Sequence, residues 1–131
     1  MKNRAEAQRA LRRLLANGRL TALPKRPADL ELVAALAATR FDASDAYVEG
    51  EVNDRLEAWL ESISEPHGID HVSLRRLLVD SRLLTRTTSG STYRVNPSRL
   101  AEIDGVRGID PAVLLSKIRE ERNQRKRRNA A

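Results

Sequence analysis

Apolar residues at helical spacing over most of the chain, two β-prone runs around Ser89-Gly90, and proline or glycine at the boundaries predict a mainly α fold with a small β-hairpin. In chain order these elements make a winged helix-turn-helix, with the hairpin as the wing and the helix before it as the recognition helix. A length of 131 residues suits one core. The expected division is an N-terminal amphipathic helix and connector over residues 1–22, the winged-helix domain over 23–96, and a C-terminal helix with a basic tail over 97–131.

Each element has a local reason. Between Asn3 and Ala16, Ala7, Ala10, Leu11, Leu14 and Leu15 fall on one helical face, and Gly18 is the expected residue after the helix end. Pro27 opens a second helix in which Leu30, Leu32, Val33, Leu36, Ala37 and Phe41 cover more than half the circumference, so it should be central. Asp42, Ser44 and Asp45 break the pattern, and Tyr47-Val48 reads as a very short strand. Val52, Leu56, Trp59, Leu60 and Ile63 then repeat at helical spacing to about Ser64.

A loop, Glu65-Pro66-His67-Gly68-Ile69, leads to Asp70, placed to cap a short helix with Leu74, Leu77 and Leu78 facing inward. In the hairpin over residues 83–95, a two-residue turn at Ser89-Gly90 sets Arg86 opposite Tyr93 and Thr85 opposite Arg94. Residues 100–103 are expected as one helical turn, and Asp110-Pro111 starts a last helix bearing Leu114, Leu115 and Ile118. Beyond Ile118 no apolar residue appears until Ala130, so residues 122–128 are expected as a frayed or solvated basic arm.

Composition removes several function classes. The chain has no cysteine, which excludes disulfides, thiolate metal sites and cysteine nucleophiles. No apolar run approaches the roughly 20 residues of a membrane span, so a cytoplasmic protein with no membrane partner is expected. His67 and His71 are four residues apart, but Gly68 interrupts the helical face a metal pair needs and no third ligand is indicated. Nucleophile elbows and phosphate loops are absent, so no catalytic residue, metal or cofactor is assigned and the expectation is a non-enzyme.

Charge is strongly segregated. The net charge of +6 divides into +7 over residues 1–26, −9 over 27–74, +4 over 75–96 and +4 over 97–131. A polyanion must therefore approach from one side, away from the acidic middle. The alternative is that acidic and basic segments pair within the fold.

Residues from about Leu11 to Val95 also resemble a bacterial family, a domain of unknown function whose members are sometimes fused behind ArsR-type repressor domains. The stretches that carry the resemblance are Asn17-Gly18-Arg19-Leu20 with Leu23-Pro24, Tyr47 with Glu51-Val52-Asn53, residues 74–80, Leu84 with Arg86, and Gly90 with Tyr93. The resemblance implies a winged-helix-like fold and a role in transcription. Val48 departs from it where a Thr-type cap is expected, and the extension after Asn96 lies outside it.

Double-stranded DNA is thus the expected partner, and its contacts can be named. On the helix from Asp70, Ser73 and Arg76 face away from the leucines and Arg75 sits on the flank. Arginine makes the bidentate contacts to guanine or phosphate that recognition needs. The structural alternatives are that Arg75 holds an acid of the preceding helix and that Arg76 pairs with Asp80. Arg82, Arg86 and Arg94 surround the wing, where backbone phosphates are the expected target, unless Arg86 only stacks on Tyr93. Arg125, Lys126, Arg127 and Arg128 of the tail add sequence-independent neutralisation.

Glu49, Glu51, Asp54, Glu57 and Glu61 on the third helix oppose this reading and define the alternative, a module that docks a protein through that acidic helix or the N-terminal one. The N-terminal or C-terminal helix is also where a homodimer is expected to form. Single-stranded RNA is disfavoured, because Phe41, Tyr47, Trp59 and Tyr93 are needed for packing and leave no stacking platform.

Overall fold

The computed structural model describes residues 3–89 and 91–130. Its helices are α1 (Arg4–Leu14), α2 (Pro27–Ala38), α3 (Glu49–Ile63), α4 (His71–Asp80), α5 (Pro97–Ala101) and α6 (Pro111–Ala130). The strands β1 (Tyr47–Val48), β2 (Leu84–Arg86) and β3 (Thr92–Val95) form one antiparallel sheet in the order β1-β3-β2, and a 3-10 turn spans Asp104–Val106. The chain is mainly helical with a small sheet, as its periodicities predict.

Capping chemistry explains where the helices begin. The Asn3 side chain accepts from the Glu6 N–H at 2.9 Å to start α1. Pro27 occupies the first turn of α2, where its missing N–H costs nothing. Val48, at the N-cap of α3, has no side-chain acceptor. Only the reciprocal half of a capping box forms there, with the Val48 N–H donating to Glu51 Oε1 at 3.1 Å. α1 ends at Leu14, earlier than its pattern suggests, because Leu15 turns into the core and Gly18, at φ +116°, closes the following turn by donating to the Leu15 carbonyl.

α2 is the central helix. Every residue from Leu32 to Ala38 is buried, and α2 packs on α1, α4 and the 3-10 turn. Ala34, Ala35, Ala37 and Ala38 in this buried stretch let neighbouring backbones come close. The buried Asp29 in its first turn is held by Arg13 at 2.6 Å. α3 buries Val52, Leu56, Trp59, Leu60 and Ile63 and leaves Glu51, Asp54, Glu57 and Glu61 exposed.

The hairpin register agrees with the sequence: Arg86 lies opposite Tyr93 and Thr85 opposite Arg94. The ladder continues to the bond from Thr87 N–H to the Thr92 carbonyl at 2.9 Å. The expected turn includes Gly90, which lies outside the described residues. β1 adds a third strand by pairing Tyr47 with Tyr93, a long-range contact that local patterns do not announce.

The C-terminal segment corrects one expectation. Residues 119–130 are solvated but not frayed, since α6 continues to Ala130 with all of them exposed. Arg, Glu, Gln and Lys are good helix formers, and no glycine or proline interrupts them. Arg12 of α1 ties the helix in place through Glu121 at 3.2 Å, and its hydrogen bonds and charge hold the Glu121 carboxyl below its ordinary range.

Candidate functional site

α4 carries the candidate residues, and both its ends are chemically defined. At the N-terminus, Asp70 accepts from the Ser73 N–H and hydroxyl, each at 3.3 Å. Desolvation raises the Asp70 pKa, but the Val72 and Ser73 N–H groups, the Ser73 hydroxyl and the His71 charge together outweigh it, so the carboxyl titrates below its usual range.

At the C-terminus the Leu83 N–H donates to the Leu78 carbonyl at 2.9 Å and the Arg82 N–H to the Val79 carbonyl at 3.0 Å. This is a Schellman motif, and Arg82 occupies its left-handed position at φ +64°, where glycine is the usual residue. Arg99 of α5 reinforces the same end. Its Nε–H donates to the Ser81 carbonyl at 3.0 Å, and its guanidinium pairs with Glu102 at 3.0 Å and Glu31 at 3.6 Å.

Between the C-terminal half of α4 and the hairpin runs a groove of about 730 Å³. Arg75, Arg76, Arg82 and Arg86 line it with Thr87 and Thr88, so four cations from three stretches of chain meet one acid, Asp80. Arg76, Arg82 and Arg86 are exposed, and their side chains form no hydrogen bond or ion pair among the described residues. Arg76 therefore does not pair with Asp80. Nor does Arg86 stack on Tyr93, since the cation–π contacts among the described residues belong to Arg55, over Phe41 and Tyr47.

The other sequence-selected residues lie elsewhere or are otherwise engaged. Arg75 is tied down: its side chain is 16% exposed, donates to Asn53 Oδ1 at 2.5 Å and pairs with Glu49 at 3.6 Å, the role weighed against nucleic-acid contact. Ser73 serves the α4 cap and does not line the groove. Arg94 is on the opposite sheet face from Tyr93, because strand side chains alternate and Tyr93 faces the groove and core. Arg125, Lys126, Arg127 and Arg128 stand on the exposed end of α6, and none of them lines the groove.

Sequence reasoning weighed an acid of α3 for Arg75 but missed the rest of the polar cluster that fixes the groove floor. Glu49 Oε1 accepts from the Tyr93 hydroxyl at 3.0 Å while facing Arg75, so one carboxylate joins α3, α4 and β3. The signal was the acid in the first turn of α3, which stands out only once β1 is known to pair with β3. Asn53 and Arg99 gave no periodic signal.

Among the described residues, no group of three or more His, Asp or Glu is placed to hold a metal ion, and no helix is long and apolar enough to cross a membrane. Fold and site together define a small, mainly helical protein with an arginine-lined groove beside a short hairpin. Residues 19–95 match the model of a family described as uncharacterized protein conserved in bacteria (DUF2087), and the chain belongs to that family. No curated protein and no solved structure matches the chain.

Proposed function

We propose that this is a winged-helix protein of the bacterial cytoplasm that binds double-stranded DNA as a transcriptional regulator and has no catalytic activity. In this reading α4 lies toward the major groove, the hairpin is the wing, and the end of α6 neutralises flanking phosphate. The observation that carries it is the convergence of Arg76, Arg82 and Arg86, all without partners, on one groove. Unpaired guanidinium groups at a surface are what phosphate and guanine edges recruit. Glu57 and Glu61 of α3 lie with Asp70 at the N-terminal end of α4, and Glu49 is engaged by Arg75 and Tyr93, so contact is directed to the C-terminal half of α4 and the hairpin.

Anisotropy of a labelled random duplex, titrated at rising salt, tests the proposal. Three groove cations and four tail cations at about 0.9 each give a log–log slope near −6, falling to about −3 for a chain cut after Glu121. Arg76→Ala should lower the slope by about one more. Absence of binding even at low salt overturns the reading and turns attention to the acidic face of α3 as a protein-docking surface.

A further inference from the structure

One acid stands among the cations that line the groove between α4 and the hairpin. Asp80 is exposed, and its side chain forms no hydrogen bond or ion pair among the described residues. Arg76 precedes it by four residues, so the two project from the same face of α4. Opposite charges at that spacing are near enough to pair, yet both side chains stay open.

The helix itself gives no reason for an acid there. Asp80 is the last residue of α4, where the helix dipole disfavours negative charge. The cap beyond it is made by the Arg82 and Leu83 N–H groups and by Arg99, with no part for the Asp80 carboxylate. Phosphate gives no reason either, because a carboxylate repels it whatever the base sequence. The acid becomes favourable only against a hydrogen-bond donor on a base edge. In the major groove cytosine offers its N4 amino group and adenine its N6, but adenine sets the N7 acceptor beside the amino group, which opposes a carboxylate and suits an amide.

We infer, resting on the reading of α4 as the helix that enters the major groove, that Asp80 determines sequence specificity. Its carboxylate accepts from cytosine N4 while Arg76 donates to guanine O6 and N7, and Arg82 and Arg86 remain for the backbone. Four residues of helix advance about 6 Å and one base step about 3.4 Å, so the preferred site holds a guanine and a cytosine about two base pairs apart. Aspartate is much the shorter side chain, so the C-terminal end of α4 sits deeper in the duplex and Arg76 reaches in from one turn away. That tilt also keeps Glu57, Glu61 and Asp70, at the other end of α4, farthest from phosphate.

Selection from a randomised duplex library with the full chain, followed by anisotropy on the selected duplex and its single-base variants at fixed salt, tests the inference. The native chain should enrich guanine and cytosine at that spacing and bind about tenfold more weakly when adenine replaces the cytosine. Asp80→Asn, whose amide pairs with adenine N6 and N7, should exchange cytosine for adenine at that one position, and Asp80→Ala should erase the preference. Guanine stays selected by both variants, whereas Arg76→Ala loses guanine and keeps cytosine. Both Asp80 variants should bind random duplex about threefold more tightly, since a charge facing phosphate is gone. Asp80 has no partner among the described residues, so neither variant loses a contact and Tm should not fall. Enrichment of no sequence, or of one without the cytosine, overturns the inference. So does an Asp80→Asn chain that selects the native sequence and merely binds every duplex more tightly, since the acid then only repels phosphate. Those results leave duplex binding itself standing, whereas a native chain that binds no duplex at low salt overturns the reading of the groove as well.

Discussion

Replacing Arg82 by glycine separates what the fold wants from what the surface does. Arg82 holds the left-handed position of the α4 C-cap at φ +64°, which costs a non-glycine residue about 1–2 kcal/mol. Glycine relieves that strain but gains freedom in the unfolded chain, an offset of roughly 0.5 kcal/mol, so Arg82→Gly should stabilise the protein by about 1 kcal/mol. At about 2.1 cal/mol/K per residue, 131 residues give an unfolding entropy near 0.28 kcal/mol/K, and Tm should rise by about 4 °C. The side chain has no partner among the described residues, so nothing else is lost on folding. Duplex binding should move the other way, with the salt slope smaller by about 0.9. Arg82→Asn, which tolerates the same backbone, should match the loss in slope with a smaller gain in Tm. A fall in Tm would refute the strain argument, and an unchanged slope would refute the placement of Arg82 on DNA.

Other substitutions check the scaffold. Arg75→Met should lower stability by about 1–2 kcal/mol in a urea melt, because it leaves Asn53 and Glu49 without their charged partner in a partly buried site. Tyr93→Phe removes only the hydroxyl that bonds Glu49 and should cost about 1 kcal/mol by the same assay, with no change in salt slope. The depressed Asp70 pKa gives a stability contribution that is fully present above about pH 4, the unfolded value, and is lost as pH falls through the folded one. Asp70→Asn caps without titrating, so melts from pH 6 to pH 2 should show a shallower acid limb than the native chain.

Most of the fold was legible because local and global signals agree. Pro27, Asp70 and Asp110 mark helix starts by chemistry that acts within a few residues, and the leucines of α4 share one face whatever packs on it. The helical turn expected over residues 100–103 is instead α5 at Pro97–Ala101, started earlier by the Asn96 cap. The pairing of β1 with β3 was not legible, since a two-residue strand gains its meaning from a partner more than forty positions away. The reach of α6 was misjudged for a related reason: burial patterns ignore intrinsic helix propensity and the ion pair from Arg12 to Glu121.

The candidate site divides in the same way. Arg76, Arg82 and Arg86 could be chosen from helix face and hairpin register alone, and the structure brings them to one groove. Arg94 could not be separated from them by charge. It is the two-residue alternation along β3 that turns it to the other face of the sheet. Arg82 had no sequence signal for its backbone conformation, because glycine, not arginine, is the residue that advertises a left-handed cap.

Arginine side-chain NMR spectra recorded while duplex DNA is added locate the contact surface most directly. The account predicts that the Nε–Hε signals of Arg76, Arg82 and Arg86 shift together, while those of Arg55 and Arg99, which are held by contacts within the fold, stay in place. Shifts confined to α3, or spread evenly over arginines on all faces, would contradict it.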